Sequence, residues 1–137
     1  MCRSISSQLV FGSSVGRADI NALELRITLI NSEGNADKPS RRNRSTQYFS
    51  YPDFKFDRLR KEASGVYESY ADMGLNEWIT IKIEVTNETA KLYLNGREQP
   101  VLIVNDLKQG ATASGGVGLW VDVGTEGHFT DLSIENG

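Results

Sequence analysis

Trp120 lies in the run Val117-Gly118-Leu119-Trp120-Val121-Asp122-Val123. Alternation there predicts a strand with Val117, Leu119 and Val121 on one face and Gly118, Trp120 and Asp122 on the other. An outward indole can stack on the apolar face of a pyranose ring, while carboxylates, amides and guanidiniums beside it bind the hydroxyls. Tyr48, Tyr51, Tyr67, Tyr70 and Tyr93 could add further rings. Arg41, Arg42 and Arg44 form a basic run whose planar donors match carboxylates, sulfates and phosphates. Uronic acids or sulfated glycans would fit such a run. The expected ligand-binding set is Trp120, Tyr48, Tyr51, Tyr70, Tyr93, Arg42, Arg44 and Asp122. Each has a plainer alternative: the rings cover the second face of a sheet, and the arginines belong to a solvated loop.

Other chemistries lack their residues. Glycoside hydrolysis needs two carboxylates flanking the scissile bond. Glu24 is alone on its strand, and Asp53 and Asp57 share a loop with Lys55 and Arg58, which reads as solvated ion pairing. His128 is the one histidine and no serine or cysteine motif accompanies it, so a hydrolase triad has no support. Cys2 is the one cysteine, which excludes an internal disulfide and a cysteine-ligated zinc. No catalytic residue and no metal ligand is assigned, and no cofactor is expected. Asn43-Arg44-Ser45 and Asn87-Glu88-Thr89 match the N-glycosylation pattern, which recurs by chance, and receive no role.

The elements that must position these residues are strands. Trp78-Ile79-Thr80-Ile81-Lys82-Ile83-Glu84-Val85 alternates, with Ile79, Ile81, Ile83 and Val85 inward. A turn at Thr86 to Thr89 leads to Ala90 to Leu94, with Leu92 and Leu94 inward. Asn95-Gly96 supplies a turn tolerant of positive φ. Pro100 to Val104 is a third strand with proline at its start, and residues 105–116 are a loop. In His128 to Ile134, Phe129 has the wrong parity for Leu132 and Ile134, so a bulge is expected near Thr130-Asp131. Earlier, Gln8 to Phe11, Ala22 to Ile30, Gln47 to Tyr51 and Val66 to Tyr70 read as strands, and Arg58 to Ala63 as a turn of helix. Residues 31–44 read as a long polar loop.

Many short strands with regular turns predict an all-β, antiparallel two-sheet jelly-roll sandwich with little helix, forming a single domain over residues 1–137. A net charge of −3 argues against nucleic acid, which needs a basic field. No run reaches the ~20 apolar residues of a membrane span, so no membrane partner is expected. The first residues show no apolar signal-peptide core.

Several motifs together resemble a known group. These are Asn76-Glu77-Trp78 before an alternating strand, Tyr93 to Gly96 as a Tyr-x-Asn-Gly hairpin end, Gly116 to Trp120, and a closing strand around Phe129-Thr130-Asp131-Leu132. Their order resembles concanavalin A-like lectin and glucanase domains, above all bacterial laminin-G-like domains and the related 3-keto-disaccharide hydrolase family, formerly a domain of unknown function. Residues 41–53 and 67–70 resemble a bacterial subgroup. The likeness covers roughly residues 20 to 135 and implies a non-catalytic carbohydrate-binding or accessory module acting in the periplasm or outside the cell. A glycoside-hydrolase-like enzyme acting on a modified disaccharide is the alternative, and a structural or protein-interaction domain a third. The catalytic glucanases place their acids in a Glu-x-Asp-x-x-Glu pattern, which is absent here. Laminin-G-like domains also raise a calcium site, but Asp122, Glu126 and Asp131 lack metal-loop spacing. Family domains begin with further strands before the equivalent of Leu23. The resemblance therefore implies an uncovered sheet edge here, open to pairing with a second copy.

Overall fold

A computed structural model of the protein describes residues 2–11, 17–22, 25–30, 44–74, 76–111, 116–121 and 126–136, and the side chains from residue 44 onward. Its strands are β1 (Cys2–Phe11), β2 (Arg17–Ala22), β3 (Leu25–Ile30), β4 (Thr46–Ser50), β5 (Glu68–Ser69), β6 (Ile79–Thr86), β7 (Thr89–Leu94), β8 (Leu102–Val104), β9 (Val117–Val121) and β10 (Gly127–Asn136). One helix, α1 (Phe56–Glu62), joins β4 to β5. The strands form two five-stranded sheets, β10-β1-β6-β7-β8 and β5-β4-β3-β2-β9, paired antiparallel throughout. This is the all-β sandwich that the alternating pattern predicts.

The core lies between the sheets. From the first come Ile79, Ile81, Ile83, Ala90, Leu92, Leu94, Leu102 and Val104, and from the second Tyr48. Leu59 of α1, with Tyr67 and Met73 from the connections, joins them. Burying each large aliphatic side chain contributes roughly 1.5–3 kcal/mol. The outward partners on β6 are Thr80 and Lys82, both exposed. The β6–β7 hairpin turns at Asn87 (φ 53°), and the turn after β7 uses Asn95 (φ 54°) and Gly96 (φ 68°), a backbone region open to asparagine and glycine. β8 begins at Leu102 rather than Pro100, although the Val101 amide already donates to the Leu92 carbonyl at 2.8 Å.

The bulge expected in the last strand is present. Gln8 pairs with Thr130 but Ser6 with Ser133, so Asp131 and Leu132 oppose the single residue Ser7, and Asp131 adopts φ 56°. Phe129 packs against the core, whereas Leu132 and Ile134 are exposed.

The first part of the chain departs from expectation. β1 spans ten residues, well beyond Gln8 to Phe11, and lies inside its sheet between β10 and β6. Ala22 to Ile30 is not one strand: Ala22 pairs with Leu25, so the chain reverses between them and two strands result. Two strands, β1 and β2, thus precede Leu23, and the shortage of early strands that implied an uncovered edge does not exist. β5 is reduced to two paired residues.

Candidate functional site

Trp120 stands where parity places it. Its neighbours Leu119 and Val121 are partly buried, while Trp120 is 40% exposed. Across the second sheet its register row reads Trp120, Asp19, Thr28, Gln47, Glu68, one residue from each strand. The two ends of this row are four strand spacings apart, about 19 Å. A Cβ added at Gly118, two residues before Trp120, would meet no atom of the described residues within 4 Å.

The opposite end of the row is closed and charged. Glu68 is buried, with its side chain 5% exposed, and two arginines converge on it. Arg60 on α1 donates from Nε at 3.0 Å and Nη2 at 2.8 Å, both to Oε2. Arg44, just before β4, brings Nε to 3.2 Å of Oε1. That contact is an ion pair by distance but lacks hydrogen-bond alignment, so Oε1 is buried without a hydrogen bond. The Arg60 guanidinium also lies 4.0 Å from the centroid of the Phe56 ring, one turn back on α1. Gln47 Nε2 donates to the Arg44 carbonyl at 3.1 Å and so anchors its backbone. The arginine side chains remain 34% and 26% exposed.

A second constellation closes one part of the sandwich. The Tyr67 hydroxyl donates to Asp106 Oδ2 at 2.6 Å, and Lys108 Nζ reaches the same oxygen at 2.5 Å. The Lys108 amide donates to the Tyr48 hydroxyl at 2.9 Å, and Lys108 Nζ lies 5.0 Å from the Tyr67 ring centroid. Gln109 Nε2 donates to Ser50 Oγ at 2.8 Å and to the Tyr51 carbonyl at 3.1 Å. Burial pushes the Asp106 carboxyl up, but hydrogen bonds from Lys108 and Tyr67 outweigh it, and the net shift is downward. The hydrogen bond to Asp106 raises Lys108. Burial, then the bond to Asp106, raises Tyr67. The cluster ties the segment after β8 to β4 and to the approach to β5.

Tyr48, expected at the ligand face, is instead a core residue, 1% exposed, with its ring 5.8 Å from that of Tyr67. Every residue of β4 is buried, so both faces of the strand are covered and neither offers a surface ring. Tyr67 is buried as well. Tyr51 is partly open, with Phe49 edge-on and Lys55 Nζ 5.5 Å from its ring centroid. Tyr70 is 55% exposed beyond β5. Tyr93 points outward from the first sheet, beside Lys82, and so lies on the opposite side of the sandwich from Trp120. Arg41, Arg42 and Asp122 lie outside the described residues. The expected set therefore does not form one surface. Trp120 is on the second sheet and Arg44 just before its strand β4, Tyr93 is on the first sheet, and Tyr48 is not at the surface.

Sequence reasoning missed Arg60 and Glu68. Their partnership joins a helix to a strand of two residues, and no periodicity signals it. It also passed over Trp78, an exposed ring at the start of β6. Among the described residues no group of three or more histidine, cysteine, aspartate or glutamate side chains could hold a metal ion. The pocket between Glu68, Tyr48, Tyr67 and α1 has room for about one water molecule. Glu68 is committed to two arginines, and Asp106 to Tyr67 and Lys108. What the described residues offer is an exposed indole on the edge strand β9 and a cationic group around Glu68.

No family model matches the chain, and no curated protein does. Among solved structures the chain is similar to the one titled "Structure of alginate lyase AlyC3", with a TM-score of 0.53 and 11% identity, over 98% of this chain and 64% of that one. The chain thus spans somewhat less than two thirds of that structure's length. At this identity the likeness is one of fold, and it agrees with the two-sheet sandwich.

Proposed function

We propose that the protein is a non-catalytic carbohydrate-binding or accessory module whose glycan-facing surface lies around Trp120, at the β9 edge of the second sheet. The observation that carries this reading is Trp120, held on the open edge of a fold whose solved neighbour is titled an alginate lyase. An exposed indole at a sheet edge gives a flat apolar platform for a sugar ring. Glycoside hydrolysis draws no support from the buried carboxylate Glu68, which is held by two arginines beside a cavity with room for about one water molecule. The reading places the protein's work in the periplasm or outside the cell, where polysaccharides are met.

Titration calorimetry with a panel of hexasaccharides, neutral and anionic, tests it. Trp120→Ala is expected to weaken binding several-fold, up to about tenfold, because a stacked ring contributes about 0.5–1.5 kcal/mol beyond its area burial. The variant should keep the thermal midpoint of the parent protein. A variant that unfolds would instead make Trp120 a packing residue and remove the basis of the proposal.

A further inference from the structure

We infer that Arg44 and Arg60 form a subsite for a single anionic substituent of the bound sugar chain, a carboxylate or a sulfate. The inference rests on the glycan-binding reading and adds charge selectivity to it. Two guanidiniums converge on one buried carboxylate, which leaves one positive charge uncompensated within the group. The two arginines are not equivalent. Arg60 is locked, with two donors on Glu68 Oε2 and its face on Phe56. Arg44 touches Glu68 only through Nε, without hydrogen-bond alignment, and its terminal amino groups have no partner among the described residues.

The backbone beneath Arg44 is fixed from two sides. Gln47 holds its carbonyl, and the next residue, Ser45, exchanges hydrogen bonds with the backbone of Ala71. The guanidinium is thus presented from a rigid base, one third exposed, with a donor edge that matches an oxyanion bidentately. Glu68 keeps the edge oriented and prevents Arg44 from folding into solvent. Trp120 stands about 19 Å from Glu68, four strand spacings across the sheet, so a disaccharide held at the arginines does not reach the indole.

Calorimetry with four probes tests the subsite: a uronate disaccharide, a uronate hexasaccharide, a sulfated hexasaccharide and a neutral β-1,4-linked hexasaccharide. For Arg44→Gln, binding of the anionic hexasaccharides should fall about tenfold or more, the cost of a lost charge-assisted pair. Neutral binding should be unchanged. The uronate disaccharide should depend on Arg44 and not on Trp120. Relative loss between the uronate and sulfated probes tells which oxyanion is preferred. If neutral and anionic hexasaccharides bind alike and Arg44→Gln affects neither, the anionic subsite is overturned while a Trp120-dependent glycan surface stands. If none of the probes binds the parent protein, both readings fall. Should Arg44→Gln prove unstable, Arg44→Lys keeps a charge beside Glu68 but removes the fork. It should fold normally and lose anionic binding, and parent-like affinity in it overturns the inference.

Discussion

At the scale of single residues, two tyrosines and a tryptophan show how far side-chain type alone carries. Trp120 reads correctly because its strand alternates, so parity assigns its face. Tyr48 does not, because Gln47-Tyr48-Phe49 sits in a strand buried on both sides, where alternation no longer separates inside from outside. The Tyr67–Asp106–Lys108 cluster was illegible for another reason: Tyr67 is 39 residues from Asp106 and meets it only through the loop after β8. It predicts a pH dependence. Asp106 titrates lower in the folded protein than in the unfolded chain, so its contribution is complete above about pH 4 and is lost as pH falls through the lower folded value. Lys108 and Tyr67 are raised, so their contributions are complete below about pH 10 and are lost as pH climbs through their folded values. Urea titrations of Asp106→Asn should therefore show a smaller loss of stability than the parent both from pH 6 to pH 3 and from pH 9 to pH 11. Parallel curves would mean that the cluster is too solvated to matter.

At the scale of elements, legibility follows the hydrophobic period. β6, β7 and β9 alternate cleanly and fold as read. The break of parity after Phe129 located the bulge in β10 to within a residue. β1 was largely hidden because Ser4, Ser6 and Ser7 dilute its pattern, yet it is stabilised by pairing on both sides. The β2–β3 reversal was hidden because Ala22-Leu23-Glu24-Leu25 holds none of the residues that usually mark a turn. The bulge makes a prediction of its own. Asp131 occupies a left-handed conformation that costs a residue with a side chain roughly 1–2 kcal/mol. Asp131→Gly should be neutral or stabilising by up to about 1 kcal/mol, and Asp131→Val destabilising by about 1–2 kcal/mol, in chemical denaturation. Equal losses in both would show that the aspartate side chain itself holds the bulge.

At the scale of the whole molecule, the sandwich presents two unlike outer faces. The first sheet shows Lys82, Glu84, Lys91 and Tyr93, a solvated surface of paired charges. The second shows Trp120 at one edge and the arginine-bound Glu68 at the other. The sheet edges among the described strands are poor templates for another chain: β5 has two residues, β8 three, and β10 is broken by a bulge that carries Asp131. With β1 seated inside its sheet, the argument for edge pairing loses its premise. Light scattering is expected to give a monomer at high concentration, and a stable dimer would point to β9, the remaining edge, as the contact. The position of β1 has one more consequence. Both of its partners, β6 and β10, belong to the second half of the chain, so β1 is synthesised well before either strand it pairs with. Its sheet is complete only once β10 has been synthesised, so this sheet forms at the millisecond-to-second rates of folds built on long-range pairing and not strand by strand as the chain emerges.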